Sequence, residues 1–143
     1  MKYPFPRPET FAVRVKKSAT GHGLFAVEKI PAKRFIIEYW GKLVTDDEAE
    51  KIGGRYLFEL ENGFTIVGTT HANKARYANH SCKPNAEVRI TGNRVFLFSL
   101  APILPGEEIV YDYGKEYFNA FIKPKGCLCP PCTKKRDRKT KHA

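Results

Sequence analysis

Apolar and polar residues alternate over short stretches near the start of this sequence, which predicts strands with one buried face. The alternation is clearest at residues 11–16, and apolar runs follow at residues 24–27 and 35–41. Residues 18–23 read Ser-Ala-Thr-Gly-His-Gly, so we expect a break between the first two strands, because glycine and small polar residues favour turns. The pattern therefore predicts three strands before residue 42.

One segment has the pattern of a short helix. Thr45 is followed three residues later by Glu48, the spacing of a capping box in which the two side chains bond to exposed backbone N–H groups of the first turn. Gly53 and Gly54 then mark the end of the helix, since glycine readily adopts the backbone conformation that follows a last helical turn. We expect one helix between these signals.

Turn signals divide the rest of the chain into further short strands. Asn62-Gly63 is a strong hairpin signal and lies between predicted strands at residues 56–61 and 64–67. Further strands are predicted at residues 86–90, 94–100 and 108–111. Turns are predicted at residues 91–93 and at Pro105-Gly106. Many short strands with one or two small helices predict a single, mostly-β domain without internal repeats.

The composition fits a folded domain. Of the 143 residues, 42% are hydrophobic and 13% aromatic, enough to build a core and to exclude wholesale disorder. The first residues contain no apolar run that would serve as a secretion signal, and no later stretch has the length of a membrane span. We therefore expect a soluble protein with no membrane partner. We also expect it to be cytoplasmic and a monomer or weak dimer.

The net charge of +10 is concentrated near the C-terminal end, where residues 123–143 hold eight Lys or Arg and one acidic residue. Such a tail is either a solvated, mobile end or an electrostatic contact for an acidic partner such as nucleic acid or a nucleoprotein. Lys134-Lys135-Arg136 also fits a nuclear address, which is the alternative to a cytoplasmic location.

Three of the four cysteines, Cys127, Cys129 and Cys132, lie within six residues of one another. Four is an even number, so disulfides stay open, although Cys127 and Cys129 are too close along the chain to bond to each other without strain. Clustered thiols in a chain with no secretion signal favour metal binding in a reducing compartment. The fourth cysteine, Cys82, belongs to a second unusual segment.

This segment, residues 76–85, reads Arg-Tyr-Ala-Asn-His-Ser-Cys-Lys-Pro-Asn and places an amide, an imidazole, a hydroxyl and a thiol side by side. Alone, it would be interpreted as a polar turn with a chance cysteine. Tyr111-Asp112-Tyr113-Gly114 and the cysteine cluster supply further side chains with which a site can be built. The three segments together predict a functional site.

These segments resemble the SET domain family, the protein-lysine methyltransferases that use S-adenosylmethionine. The resemblance covers residues 11–132 and rests on motifs in the family's order, which are Gly21-His22-Gly23-Leu24-Phe25-Ala26, Tyr39-Trp40-Gly41, residues 76–85, residues 108–114 and the cysteine cluster. It implies a mostly-β fold of the β-clip or SET type, with small curved sheets, short helices and a C-terminal pseudoknot. The implied segments are an arm (1–10), a SET domain (11–119), a post-SET zinc segment (120–133) and a basic tail (134–143).

The resemblance also implies which residues bind the cofactor and a metal. The cofactor-binding positions match Gly21, His22, Gly23, Asn79, His80 and Leu128. Asn79 would lie near the amino acid portion of S-adenosylmethionine, His80 near its adenine, and His22 would act through its backbone. Four thiolates would form a closed structural zinc site, and they match Cys82, Cys127, Cys129 and Cys132.

The catalytic positions of the family match three tyrosines, Tyr113, Tyr111 and Tyr39. The Tyr113 hydroxyl would point at the methyl group and the amine, Tyr39 would line the lysine channel, and Tyr111 would limit the number of methyl groups added. A target lysine must be neutral, which costs about 4–5 kcal/mol at pH 7 from a reference pKa near 10.4. A dry aromatic channel beside a cationic cofactor lowers this cost, and a phenol at Tyr111 implies mainly monomethylation.

The substrate stays open. Ala72-Asn73 stands where Gly-Asn is usual in the family, and the segment at residues 45–70, which helps to select the substrate in larger members, is short. The expected partner is a protein or peptide with a target lysine in a basic segment, of the histone-like, DNA-organising or translation type.

Two other functions are possible on the sequence. One is a non-enzymatic zinc module that binds nucleic acid or chromatin, although the tail from Thr133 onward has no aromatic residue for base stacking. The other is a hydrolase using Cys82 and His80, although residues so close on one loop rarely have the geometry of a nucleophile and its base.

Overall fold

The computed structural model describes residues 11–18, 21–54 and 56–113, and within them the chain is mostly strand. The helical elements are α1 (Asp46–Ile52) and a 3₁₀ helix (Lys74–Tyr77). The strands are β1 (Val13–Ser18), β2 (Gly21–Ala26), β3 (Phe35–Tyr39), β4 (Lys42–Thr45), β5 (Leu57–Glu59), β6 (Phe64–Val67), β7 (Asn79–His80), β8 (Ala86–Thr91), β9 (Arg94–Ser99) and β10 (Glu108–Tyr111). The mostly-β fold class expected from the sequence is confirmed.

The strands form two sheets, and β10 lies inside the larger one. The order of that sheet is β1-β2-β10-β8-β9-β3, with β7 also paired to β10, whereas the smaller sheet has the order β4-β6-β5. β10 is antiparallel to β2 but parallel to β7 and β8. Parallel neighbours need a long connection between them, so β10 joins segments that are distant in the sequence.

Asn85 fastens the loop after β7 to the middle of β10. Its Nδ2 donates to the carbonyl oxygen of Glu108 at 2.8 Å, and its Oδ1 accepts from the backbone N–H of Val110 at 2.9 Å. The backbone N–H of Ser81 donates to the carbonyl of Tyr111 at 3.1 Å. Residues 79–85 therefore lie against β10, the juxtaposition that the SET resemblance implies. The chain beyond Tyr113 lies outside the described residues, so the pseudoknot stays a prediction.

One apolar cluster, with members from both sheets, forms the core of the described residues. Leu24, Ile36, Leu97 and Ile109 have no exposed surface, and each such buried side chain stabilises the fold by about 1.5–3 kcal/mol relative to exposure. Tyr39 and Tyr111 belong to the same cluster, and Tyr113 packs against it. The three tyrosines that the resemblance singled out are therefore held by the core.

The predicted capping box of α1 is confirmed. The backbone N–H of Glu48 donates to Oγ1 of Thr45 at 3.2 Å, and the N–H of Thr45 donates to Oε1 of Glu48 at 3.1 Å. Gly53 ends the helix with a φ of 65°, a left-handed value that favours glycine. Neither described helix is long and apolar enough to cross a membrane.

Several sequence-based boundaries were wrong; the strand predicted at residues 35–41, for example, ends at Tyr39. The predicted break at residues 18–23 is narrower, because β1 and β2 form an antiparallel hairpin whose pairing continues to Ser18 opposite Gly21. The predicted strand at residues 56–61 is shorter, because the N–H of Leu60 already bonds to the carbonyl of Phe64 at 3.0 Å and Glu61 adopts a φ of 61°. The turn at Asn62-Gly63 therefore has one residue more than a two-residue hairpin loop.

Candidate active site

The side-chain amide of Asn79 lies at the meeting point of β2, β7 and β10. Its Nδ2 donates to the backbone carbonyl of His22 at 2.9 Å and to Oε2 of Glu108 at 2.8 Å, with Oγ of Ser18 further away at 3.4 Å. Val110 is the partner of Asn79 in the parallel pairing. The amide is therefore held by both neighbouring strands.

The start of β2 supplies the glycines next to this amide. Gly21 has a φ of 115°, and a Cβ built there would meet no heavy atom of the described residues within 4 Å, so these residues leave the backbone accessible at this point. A Cβ on Gly23 would lie 2.5 Å from Oε2 of Glu108, closer than real Cβ atoms come to oxygen. Gly21, His22, Gly23 and Asn79, four of the predicted cofactor-binding residues, thus occupy one region.

His80, the other predicted cofactor-binding residue in the described part of the chain, has a buried ring. Its Nδ1 accepts a hydrogen bond from the backbone N–H of Tyr113 at 3.1 Å, and its Nε2 lies 3.5 Å from Sγ of Cys82. Burial lowers the pKa of His80 from its ordinary value, and the Asp112 carboxylate, 3.8 Å from Nδ1, opposes that shift. The neutral ring accepts at Nδ1 and therefore carries its proton on Nε2.

Tyr111 and Tyr113 lie side by side at the end of β10. Their ring centroids are 4.8 Å apart, and the Tyr113 ring also lies against that of His80 at 5.4 Å. The Tyr113 hydroxyl donates to the carbonyl of Ala78 at 2.6 Å, which fixes the direction of the phenol. The intervening Asp112 is exposed, as its alternation along the strand predicts.

Tyr39 is placed at the end of β3 by contacts from the small sheet. It is 4% exposed, its ring packs against that of Phe58 at 5.4 Å, and a Cβ on Gly68 would lie 2.5 Å from its hydroxyl oxygen. The fully buried Asn73 accepts from the backbone N–H of Trp40 at 3.2 Å and donates to the carbonyl of Gly68 at 3.1 Å. Asn73 therefore links the backbone of Trp40 to the backbone of Gly68, and both residues adjoin Tyr39.

Arg76 builds a second cluster beside the first. Its guanidinium lies over the rings of Tyr56 and Tyr77, at 4.4 Å and 4.6 Å from their centroids, and Nη2 donates to the Tyr77 hydroxyl at 2.6 Å. Another bond runs from Nη1 to the carbonyl of Thr69. The ring of His22 lies 5.9 Å from that of Tyr77, so this cluster supports the segment that carries the glycines.

The predicted metal site is only partly within the described residues. Cys82 is exposed and its thiol lies near Nε2 of His80, as given above. Cys127, Cys129, Cys132 and Leu128 lie outside the described residues. Within residues 11–18, 21–54 and 56–113, no group of three His, Cys, Asp or Glu side chains is placed to hold a metal ion. The zinc site and the contact of Leu128 stay predictions.

Sequence reasoning missed Glu108, Asn73 and Gly68 as residues that hold the site. Glu108 was counted only as a strand residue. The glycines of β2, the strand next to β10, would have pointed to Glu108. However, the pairing of β10 with β2 cannot be read from strand periodicity. Asn73 was noted only as the second residue of Ala72-Asn73, which stands where Gly-Asn is usual in the family. Nothing in the sequence around Gly68 indicated that it contacts a tyrosine.

The motifs and the fold define the class of protein. The sequence matches the SET domain family over residues 21–114, and the chain belongs to that family. The match begins at the first glycine of β2 and ends just after Tyr113, so it includes the described residues of the candidate site.

Individual relatives are similar to this chain over most of its length. It is 36% identical over 134 residues to the Arabidopsis thaliana protein named Histone-lysine N-methyltransferase, H3 lysine-9 specific SUVH5, covering 80% of this chain and 17% of that protein. It is 35% identical over 129 residues to Histone-lysine N-methyltransferase ASHH1 of the same plant (80% and 26%), and 39% identical over 125 residues to Histone-lysine N-methyltransferase set1 of Dictyostelium discoideum (77% and 8%). The chain thus spans 8–26% of the length of these relatives.

Proposed function

We propose that this chain is an S-adenosylmethionine-dependent protein-lysine N-methyltransferase. The observation that carries the proposal is the parallel pairing of β7 with β10, in which Asn79 lies opposite Val110 and His80 opposite Tyr111. It brings the residues that match the family's cofactor-binding positions next to those that match its catalytic positions. The names of the relatives, all histone-lysine N-methyltransferases, support the same reaction.

The residues around Asn79 suit the amino acid end of S-adenosylmethionine. The described residues leave open space at Gly21, through which a ligand would reach the backbone of β2, and the fixed amide of Asn79 adds a polar side chain. The cofactor, when bound, supplies an activated methyl group on a sulfonium. The chain contributes orientation, which is a major source of rate in an in-line transfer.

The tyrosine pair suits the other reactant, a lysine amine. The Tyr113 hydroxyl already donates its proton to the carbonyl of Ala78, so it can only accept from a further partner. An amine N–H or a polarised methyl group is such a donor. Tyr111 is 7% exposed, and an apolar aromatic wall disfavours an ammonium relative to a neutral amine. These residues would therefore favour the nucleophilic form of lysine and orient it.

The degree of methylation follows from Tyr111. A phenol in this position would leave less room around the amine than phenylalanine, so we expect mainly the monomethyl product. The substrate would be a lysine in a basic protein segment, and the names of the relatives favour a histone-like one. The comparisons give no support to the cytoplasmic location and fit the nuclear or chromosome-associated alternative better.

A zinc ion held by Cys82, Cys127, Cys129 and Cys132 would complete the site. Cys82 lies two residues after β7 and is exposed, so its thiol is accessible to a metal ion that another segment also binds. Four thiolates form a closed, structural site, and binding of the ion would order the segment that supplies the other three ligands.

The test is methyl transfer by the purified full chain from radiolabelled S-adenosylmethionine to histone, DNA-organising and translation proteins, followed by mapping of the labelled lysine. Cofactor affinity is measured in parallel by calorimetry. Labelled lysine in the wild type, strongly reduced in Asn79→Ala, supports the proposal. Nucleic-acid binding with no cofactor binding and no transfer would overturn it in favour of the zinc-containing nucleic-acid module.

A further inference from the structure

We propose that Glu108 is a positioning residue for cofactor binding, which acts by holding the side-chain amide of Asn79 in one orientation. This inference rests on the proposed function. Oε2 of Glu108 accepts from Nδ2 of Asn79 at 2.8 Å, and both side chains are half-buried. Glu108 begins β10, whereas Asn79 lies on β7, so the bond joins two parallel neighbours.

The neighbours of Asn79 determine which way its amide faces. The backbone carbonyl of His22 and the carboxylate of Glu108 approach the same atom, at 2.9 Å and 2.8 Å. Neither group can donate a hydrogen bond, so that atom must be the nitrogen. Both N–H bonds of the amide are then used within the protein.

The carbonyl oxygen of the same amide is left as the acceptor that faces a ligand. Among the described residues, no donor bonds to Oδ1 of Asn79. Because of the nearby negative charge, an acceptor next to a carboxylate binds a cationic donor more strongly than it binds an anionic group. Glu108 thereby makes this point of the site selective for a protonated amino group.

Gly23 makes this arrangement sterically possible. A Cβ on Gly23 would lie 2.5 Å from Oε2 and 3.0 Å from Cδ of Glu108, and 3.1 Å from Cε1 of Phe25. Any larger residue would displace the carboxylate from the position in which it reaches Asn79. Gly23 is buried and does not have a positive φ, so its backbone conformation does not require glycine. Its role is instead to leave space for Glu108.

A double-mutant cycle between Gly23 and Glu108 tests this coupling. Glu108→Ala should weaken cofactor affinity by about tenfold or more, because a charge-assisted bond is lost. Glu108→Gln, which keeps an acceptor oxygen for Asn79 but loses the negative charge, should have an affinity between those of Glu108→Ala and the wild type. Gly23→Ala should weaken binding as much as Glu108→Ala does, but should have a much smaller effect in the Glu108→Ala background, where the obstructing carboxylate is absent.

Two further readouts separate positioning from a general loss of structure. The KM for the cofactor should rise while kcat at saturating cofactor stays within about threefold of the wild type. The ¹⁵N-labelled side-chain amide signals of Asn79, assigned by their absence in Asn79→Asp, should move and exchange faster with water in Glu108→Ala but not in Glu108→Gln. The NMR experiment needs no cofactor.

The outcomes are distinguishable. Unchanged amide signals in Glu108→Ala, or an equal effect of Gly23→Ala in both backgrounds, would overturn the role of Glu108 while leaving the proposed function standing. A wild-type chain that binds no cofactor would overturn the proposed function, and the cofactor role of Glu108 with it, even if the amide signals respond as expected.

Discussion

The backbone N–H of Tyr113 donates to Nδ1 of His80 across 3.1 Å. This bond connects a residue that matches the cofactor-binding motif with the tyrosine that matches the catalytic one. It also fixes the tautomer of the imidazole, so that Nε2 carries the proton and faces Sγ of Cys82 at 3.5 Å. The ring of His80 thus holds the backbone of Tyr113. Any contact of the His80 backbone with the cofactor would be a separate contribution.

Two substitutions of His80 separate the two sides of the ring. Asparagine can place its oxygen where Nδ1 stands, whereas the amide of glutamine reaches the position of Nε2. We expect His80→Asn to retain methyl transfer within about threefold and His80→Gln to lower kcat about tenfold, because only the former keeps an acceptor for Tyr113. Steady-state kinetics check this. Equal losses in both variants would show that the bond to Tyr113 is not what matters.

Removing the Tyr113 hydroxyl should abolish most of the activity while leaving the fold intact. Tyr113→Phe loses the bond to the carbonyl of Ala78, and with it the group that we propose orients the amine. We expect kcat to fall by about 100-fold or more, as for the loss of other groups that act on the transition state. Tyr77→Phe is the matched control, since its hydroxyl bonds to Arg76 instead, and a comparable loss there would contradict the assignment.

Tyr111→Phe tests the degree of methylation. Without the phenol oxygen, more room is available beside the amine, so dimethyl and trimethyl products should appear where the wild type gives mainly monomethyl lysine. Mass spectrometry of a peptide substrate at long reaction times measures the distribution. A product pattern identical to that of the wild type would remove the size argument.

The capping box of α1 should make stability depend on pH in the acidic range. The pKa of Glu48 is lowered from 4.5, first by its bond to the backbone of Thr45 and then by the Thr45 hydroxyl. A lowered pKa means that the unfolded chain binds more protons, so this contribution is present above pH 4.5 and is lost as the pH falls through the lowered value.

Glu48→Gln measures that contribution, because glutamine keeps an oxygen for Thr45 but does not titrate. Urea unfolding should find the wild type more stable near neutral pH and the difference shrinking below pH 4.5. Glu50→Gln, on the same helix and exposed, should lack this specific trend. A difference between wild type and Glu48→Gln that does not change with pH would refute the prediction.

Metal removal tests the predicted zinc site. Treatment with a chelator, or Cys82→Ser, should release one zinc per chain and weaken cofactor binding, because the ion would order the segment containing Leu128. Metal analysis and calorimetry measure the two effects. Ser81→Ala is the adjacent control. A purified chain without zinc that still binds the cofactor would exclude the metal from the site.

Local signals predicted much of the fold. The hairpin of β8 and β9 pairs Thr91 with Arg94 around the expected turn, and β10 has its expected bounds. Turn residues and capping pairs act over a few positions, so they can be found in one sequence. β4 was missed because its four residues show no clear alternation before the helix signal.

The site was predictable only through motifs. Strand periodicity does not encode that β10 pairs with β7 in parallel, since this depends on packing between distant segments. The neighbourhood of Asn79 and Glu108 follows from that pairing, and so does the space needed at Gly23. When the hydrogen-bond partner of a side chain lies on another strand, the residues next to that side chain in the sequence do not reveal the partner.

The two hydrogen bonds of the Asn85 side chain have a consequence for tolerance to mutation. They replace backbone bonds in the middle of β10, so aspartate could accept from Val110 but could not donate to Glu108, and leucine could do neither. If β10 slipped by one residue, Tyr111 and Tyr113 would turn to the opposite face of the sheet. The side-chain amide of Asn85 therefore helps to fix the register that decides on which face of the sheet Tyr111 and Tyr113 lie, and we expect changes at Asn85 to be as harmful as changes to the tyrosines themselves.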